Sequence, residues 1–270
     1  MPAEYIALTY GQLALAASLM LVCGVVSLAL RLGLERRLVL GTIRTVAQLV
    51  MLGVVLRWVF AAGQWYHAAG LMVVMTVVAG VSAVQRVERR YAGLMLDSIL
   101  AIWVSSWCIA AVGVFGVVQV PADRLAQYGI PLLGMVLHNT LTGISLGIDR
   151  LGSELAGRRD EVETLLALGA TRWEAAQDAV RQAVRTGLIP TLNTMMVLGI
   201  VSIPGMMTGQ LLAGVAPMQA VMYQMVIMFL IATGTSLGAM AVSLMGYRRL
   251  FNAEHQFLPA KLVQRVSVHR

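Results

Sequence analysis

The chain has 270 residues, of which 59% are hydrophobic and 12% are charged, and its formal net charge is +7. This composition excludes an ordinary soluble domain and is typical of a membrane protein with several spans. The positive charge does not indicate nucleic-acid binding, because the basic residues are concentrated in short polar gaps between long apolar stretches.

Seven stretches are apolar over the roughly 20 residues that a helix needs to cross a hydrocarbon core of about 30 Å. In chain order they are Leu8–Leu30, Leu40–Phe60, Tyr66–Val84, Leu94–Val118, Ile130–Ile148, Leu188–Leu212 and Met218–Met245. Lipid offers the backbone no hydrogen-bond partners, so spans of this length should be helical. The sequence therefore predicts an all-α polytopic integral membrane protein with seven transmembrane helices. Five of them lie in residues 1–148 and two in residues 188–246.

The basic residues lie almost entirely in alternate gaps, and this asymmetry predicts the orientation. Seventeen of the 20 basic residues occupy four gaps: Arg31, Arg36 and Arg37; Arg86, Arg89 and Arg90; Arg150, Arg158, Arg159, Arg172, Arg181 and Arg185; and Arg248, Arg249, Lys261, Arg265 and Arg270. Short basic loops stay in the cytoplasm. We therefore expect the N-terminus outside the cell, and the segment 149–187 and the basic tail 247–270 in the cytoplasm. The expected location is the plasma membrane of a bacterium, which is its inner membrane.

Several common catalytic sites have no support in the sequence. The single lysine, Lys261, lies in LPAKL and not in a Walker A loop, so we expect no ATP hydrolysis by this chain. The four histidines are scattered without HExxH spacing, which disfavours a catalytic zinc site. Cys23 and Cys108 lie in apolar spans, where we expect small buried packing residues and neither a disulfide nor a metal site.

Residues 143–147 read GISLG and match the nucleophile elbow of serine hydrolases, which requires a strand–turn–helix context. Here the motif lies near the end of a predicted membrane helix. The same residues satisfy GxxxG, a spacing that lets two helix backbones approach closely. Similar spacings recur at Gly205/Gly209 and Gly234/Gly238. Helix packing is therefore the favoured interpretation, and we expect no enzymatic activity.

The segment 149–187 is polar, and it carries six of the arginines and most of the acidic residues. Three acids open a helix at Asp160, where the helix dipole favours negative charge. Gly169 is expected to end this helix in the left-handed conformation. Thr171 and Glu174 have the capping-box spacing that starts a second helix. The segment is either a helix presented to a soluble partner or a solvated amphipathic hairpin on the membrane surface.

The stretch EVETLLALGA, residues 161–170, resembles the EAA-type coupling helix of ABC transporter permeases. Three further stretches are GTIRTVAQLVMLG (41–53), GMVLHNTLTGISLGIDRL (134–151) and IPGMMTGQLLAGVAPMQAVMYQ (203–224). They are similar to the narrower group of FetB-like permeases, which includes bacterial iron-export permeases and plant aluminium-tolerance proteins. The resemblance covers roughly residues 41–250.

This resemblance implies a permease subunit that couples to a separate ABC ATPase subunit, which would bind ATP and Mg²⁺, with no cofactor in this chain. It further implies a homodimer in membrane lipid that exports iron or another metal. The coupling residues it implies are Glu161, Glu163, Leu165, Leu168, Gly169, Ala170 and Thr171. A sugar nucleotide stays open as the substrate. A gradient-driven carrier or channel is the alternative mechanism, although it leaves the coupling-helix resemblance unexplained.

Polar side chains and helix breaks inside the spans mark a candidate translocation pathway, because a central arginine costs about 2.5–3.5 kcal/mol on insertion scales. Arg44 and Gln48 lie one turn apart, and Pro204 interrupts the sixth span. The expected pathway residues are Arg44, Gln48, Asn139, Pro204, Met207, Thr208, Gln210, Tyr223 and Gln224. Snorkelling of Arg44 and a kink at Pro204 that is satisfied internally are the structural alternatives.

Methionine is abundant in the last quarter of the chain, where Met218, Met222 and Met225 follow helical spacing. Thioethers bind soft metals, but they also pack well between helices. Core packing is the favoured interpretation, and a metal pathway stays open.

Overall fold

The computed structural model describes residues 8–264. The predicted position of the N-terminus and two basic residues of the tail, Arg265 and Arg270, lie outside the described residues. Within them the helices are α1 (Tyr10–Ala29), α2 (Glu35–Ala62), α3 (Trp65–Arg86), α4 (Leu94–Ala111), α5 (Leu125–Gly157), α6 (Arg159–Ala167), α7 (Arg172–Val197), α8 (Gly205–Leu212) and α9 (Pro217–Leu250). A π-helix, Val112–Val117, continues α4, and short 3₁₀ turns occupy Ala122–Arg124 and Pro259–Lys261. Strands β1 (Arg89–Arg90) and β2 (Val263–Gln264) pair antiparallel.

The chain is mostly helical and has the apolar helices of a multi-pass membrane protein. Six helical stretches between residues 8 and 264 are long and apolar enough to cross a membrane, against seven predicted spans. The difference lies in Leu188–Leu212, which is not one continuous helix. The end of α7 and the short helix α8 share this stretch, with turns between them. Hydropathy averages over such a break, so the sequence pattern alone did not separate the two pieces.

The core is a bundle of α3, α4, α5, α7 and α9. Small residues at its crossings allow close backbone approach, which is how membrane helices gain van der Waals contact. A Cβ added at Gly187 of α7 would lie 2.6 Å from the Gly143 carbonyl oxygen of α5. One added at Gly238 of α9 would lie 2.5 Å from the Thr140 methyl group and 3.1 Å from the Ser105 hydroxyl oxygen. The helices are therefore closely packed at these crossings.

The GISLG motif is part of this packing, as predicted. Ser145 is buried, and its hydroxyl donates to the carbonyl oxygens of Leu141 (2.7 Å) and Ala83 (3.1 Å). Gly143 and Gly147 lie against the backbone of α7. The pair Gly205/Gly209 differs, because a Cβ at either position would meet nothing within 4 Å.

The first two helices form a hairpin at the periphery of the bundle. Among their described residues, only Ser27 of α1 and Val59 of α2 are buried. The Ser27 hydroxyl donates to Glu35 Oε1 at 2.8 Å and accepts from the Leu34 amide at 3.2 Å, which fixes the turn between the helices. The first half of α2 therefore leaves its polar side chains uncovered in a single copy of the chain.

The expectation that both cysteines are buried was wrong. Cys23 and Cys108 are free and exposed on the surface of the bundle. Core packing was also wrong for part of the methionine cluster, since Met218, Met222 and Met225 are 69%, 42% and 45% exposed. Helical spacing identifies one face of α9, but it does not tell whether that face meets the core or the surroundings.

Candidate functional site

The polar segment forms the predicted helix–turn–helix at the end of α5. Helix α6 begins two residues after Gly157 and carries Asp160 and Glu161 in its first turn. Gly169 ends it with φ +91°, where a residue with a Cβ is strained. Its amide donates to the Leu166 carbonyl at 3.1 Å, and the Ala170 amide donates to that of Leu165 at 3.0 Å. The predicted left-handed stop is confirmed.

The predicted capping box at the start of α7 is also confirmed. The Thr171 amide donates to Glu174 Oε2 at 2.7 Å, and the Glu174 amide donates to Thr171 Oγ1 at 3.3 Å. Because the carboxylate accepts from the Thr171 amide and hydroxyl, the pKa of Glu174 lies below its ordinary value. The direction of α7 relative to α6 is thus set by local hydrogen bonds.

One face of α6 packs inward and the other is open. Val162 is 5% exposed and Leu166 packs against the core. Leu165 and Leu168 are 36% and 80% exposed. An apolar side chain as exposed as Leu168, on a polar segment, is a contact available to a partner.

Ion pairs flank this open face. Arg158 pairs with Glu161, and Arg159 Nε donates to Glu163 Oε1 at 2.6 Å. The hydrogen bond from Arg158 holds the pKa of Glu161 below its ordinary value. Exposed pairs of this kind contribute about 0–1 kcal/mol to folding. Neither pair is therefore a strong constraint on the helix.

The C-terminal tail packs against the start of α7, which the sequence did not predict. The Arg172 amide donates to His255 Nδ1 at 3.0 Å, and Arg172 Nη1 donates to the Asn252 carbonyl at 3.3 Å. The rings of Trp173 and Tyr247 meet edge to face, with centroids 5.5 Å apart. These contacts join residues about 80 positions apart, so no local pattern signals them.

A buried carboxylate links the start of α4 to the end of α9. Asp97 is 4% exposed, and the Arg249 guanidinium donates to both its oxygens, at 3.1 and 3.2 Å. Gly93, with φ +93°, leaves room for that guanidinium, since a Cβ there would lie 3.0 Å from its central carbon. Burial, followed by the charge of Asp97, raises the pKa of the neighbouring Tyr91 phenol.

The break in the sixth predicted span lies between Val197 and Gly205. Pro204 is the N-cap of α8. Turn hydrogen bonds satisfy the amides of residues 198–201, among them Gly199 N–H to the Ser202 carbonyl at 2.9 Å. Ile200 is 87% exposed. The break is thus a turn from which Ile200, Val201 and Ile203 point away from the bundle, while Leu198 packs against its core.

The candidate pathway residues fall into two groups. Near the break, Thr208 bonds its own helix, while the buried amide oxygens of Gln210 and Gln224 have no partner among residues 8–264. Gln224 is only 6% exposed, on α9, which packs against α8. Met207, Tyr223 and Pro204 are half-buried beside them. Unpaired buried amides are costly and call for a ligand or partner.

The second group lies on other helices. Arg44 and Gln48 are exposed on α2, and Asn139 is half-buried on α5, where its amide donates to the Met135 carbonyl at 2.9 Å. Helix α2 makes no extensive contact with α8 in the described part of the chain. A single copy therefore does not bring the two groups together. Within residues 8–264 no three His, Cys, Asp or Glu side chains cluster as a metal site.

A family model described as uncharacterised protein family UPF0014 matches residues 10–251 of this chain. The chain belongs to the UPF0014 family. This UPF0014 protein is 39% identical to the UPF0014 membrane protein slr1647 of Synechocystis, over 80% of this chain and 83% of that one. It is thereby a multi-pass membrane protein, in agreement with its apolar helices. No solved structure shows significant similarity to it.

The names of two further relatives of this UPF0014 protein refer to a function or a phenotype. The Probable iron export permease protein FetB of Escherichia coli is 28% identical over 94% of this chain and 97% of its own length. Protein ALUMINUM SENSITIVE 3 of Arabidopsis thaliana is 28% identical over 90% of this chain and 88% of its own. The resemblance to FetB-like and plant aluminium-tolerance proteins is confirmed.

Proposed function

We propose that this protein is the membrane subunit of an ATP-driven transporter, and that α6 and the start of α7 dock a separate ATPase subunit. The observation that carries the proposal is the α6–Gly169–α7 unit, which exposes Leu165 and Leu168 on a segment that also carries the ion-paired carboxylates of Glu161 and Glu163. ATP and Mg²⁺ belong to the partner, because the chain has no Walker A loop. In the hairpin interpretation, Leu168 would instead contact lipid at the membrane surface.

The substrate we propose is iron or another metal ion, moved out of the cytoplasm. The name of the FetB relative supports this substrate class and direction. The pathway is proposed to lie between two copies of the chain, since α5, α7 and α9 are closely packed where they cross and Arg44 and Gln48 are uncovered. A second copy would remove these polar groups from lipid, where they are costly.

The docking proposal predicts that a double substitution separates the chain from its ATPase. Gly169→Val forces a β-branched residue into the left-handed region, at a cost of about 1 kcal/mol or more. Glu161→Arg removes the pair with Arg158 and places positive charge in the first turn of α6. We expect the tagged double variant to insert in the membrane but to lose the ATPase activity that co-purifies with the parent chain.

The matched control is Asp123→Arg, which makes the same change of charge at the opposite end of α5 and should retain the co-purifying ATPase. Transport is measured as ATP-dependent accumulation of radioactive iron in inside-out vesicles, with a labelled sugar nucleotide as the second substrate. Unchanged ATPase binding and transport in the double variant would rule out this docking site. Accumulation that follows an ion gradient and ignores ATP would establish the carrier alternative.

Cysteine labelling tests the proposed orientation and pathway together, in a background without the exposed Cys23 and Cys108. An impermeant thiol reagent should label a cysteine at Leu168 only in inside-out vesicles, and one at Asp123 only in intact cells. Labelling of both from one side contradicts the seven-span orientation.

A cysteine at Gln224, buried in one copy, should react with the reagent in at least one transport state, and its reactivity should change when the ATPase is trapped with nucleotide. Uniform protection in every state would exclude it from the pathway.

A further inference from the structure

A cavity of about 860 Å³ opens at one end of the bundle. Its wall combines the end of α2, the start of α3, the end of α4 with its π-helix, and the start of α5. Helix α5 runs from this cavity, at Leu125, to the neighbourhood of α6, at Gly157. The cavity and the docking segment are therefore at opposite ends of the same helix, and the cavity is no part of the site described above.

The cavity is apolar inside and polar at its rim. Val59, Ala68 and Leu133 line it and are between 1% and 4% exposed. The polar lining residues, Gln64, Asp123 and Gln127, are all exposed. An amphiphile with an apolar body and a polar end matches this gradient, whereas a metal ion would find no oxygen or nitrogen side chain among these deep residues.

Aromatic side chains place the rim at the membrane interface. Trp65 and Tyr66 lie at the start of α3 beside the opening and are 77% and 52% exposed. Tryptophan and tyrosine concentrate at the level of the lipid headgroups, where one end of the ring system is apolar and the other is wet. The interior of the cavity then lies at the depth of the acyl chains.

Side-chain and backbone contacts hold the wall of the cavity in place. The Trp107 indole N–H donates to Thr76 Oγ1 at 3.0 Å, which holds the ring in place. The π-helix Val112–Val117 contributes Val114 and Phe115 to the wall, and π-helical turns are frequent at functional sites. Gly113 lets this turn press against α9, because a Cβ there would lie 2.5 Å from Leu230 Cδ1.

We propose that this cavity binds one membrane phospholipid, with an acyl chain inside and the headgroup at the rim. Its volume lies within the roughly 300–1,000 Å³ of small-molecule sites. The bilayer supplies such chains at the depth of the interior. The bound chain fills the space where the end of α2 faces α3 and α5, and so attaches the peripheral hairpin to the bundle. The proposal does not depend on the transport function.

Quenching of Trp107 fluorescence tests the proposal in the full-length chain. The other tryptophans, Trp58, Trp65, Trp103 and Trp173, are replaced by phenylalanine. The protein is reconstituted in phosphatidylcholine vesicles whose acyl chains carry bromine near their middle, and compared with vesicles of the unbrominated lipid. We expect the brominated chain to quench Trp107, since this ring lines the cavity.

Filling the cavity should remove most of that quenching. Gly129→Leu places a side chain into the cavity from α5, where a Cβ meets only the Met72 sulfur at 4.0 Å. The matched control is Gly70→Leu on α3, outside the lining, with nothing within 4 Å, and it should quench like the parent. Ala69→Phe is the second filling variant and decides the result if Gly129→Leu misfolds. Absence of quenching in the parent, or equal quenching in the filled variants, overturns the proposal.

Discussion

Gly187→Val is expected to prevent stable assembly of the helix bundle, while Gly157→Val leaves it intact. At Gly187 an added Cβ would lie 2.6 Å from the Gly143 carbonyl oxygen and 3.2 Å from Ala239 Cβ. The first of these neighbours is backbone, so α5 and α7 would have to separate. Overpacking a core costs about 1–3 kcal/mol and occasionally more. At Gly157 nothing lies within 4 Å, and the change in residue type is the same.

The measurement is the thermal transition of the purified protein in detergent, together with the fraction that elutes as a single species. Gly187→Ala is the graded version, because one methyl group already meets the carbonyl oxygen of α5. A transition temperature for Gly187→Ala equal to that of the parent would mean that α5 and α7 do not cross this closely.

Arg249→Met is expected to destabilise severely the end of the bundle where α4 begins and α9 ends. The substitution leaves the Asp97 carboxylate buried without its partner, and an uncompensated buried charge is far worse than a missing pair. The double variant Asp97→Asn with Arg249→Met should therefore be more stable than Arg249→Met alone. Arg248→Met is the control, because this exposed neighbour has no ion pair in the described part of the chain.

Thermal transitions of the parent, Asp97→Asn, Arg249→Met and the double variant form a double-mutant cycle, which isolates the coupling between the two side chains. A higher transition temperature for the double variant than for Arg249→Met identifies the unpaired Asp97 carboxylate as the cause of the destabilisation. If Arg249→Met and Arg248→Met behave alike, the contact with Asp97 contributes nothing beyond an ordinary surface charge.

Features with a local cause were predictable from the sequence. The turn at Gly169 and the capping box at Thr171 depend on residues within four positions of one another, and both formed as predicted. The break before Gly205 was predictable for the same reason, since Pro204 acts on its own neighbourhood. Its beginning at Val197 was not predicted, although Gly199, with φ +79°, directly follows the C-cap of α7 and is the residue type that ends helices in the left-handed conformation.

Features that depend on residues far apart in the sequence could not be predicted from it. Hydropathy ended the fifth span at Ile148, yet α5 continues to Gly157 because a helix does not stop where the lipid stops. The exposure of Cys108 and Met222 depends on which helices pack beside them, and an apolar residue looks the same in both settings. The polarity of Gln224 identified it as a candidate pathway residue, but only the structure shows that its side chain is buried.

The contacts around Arg172 have a mechanical consequence. Helix α7 is tied to the tail through His255 and to the end of α9 through the ring of Tyr247. The end of α9 is tied in turn to the start of α4 through Arg249 and Asp97. A displacement of α6 is therefore not confined to the turn at Gly169. It would instead be transmitted through α7 to α9 and α4, because direct contacts join these helices.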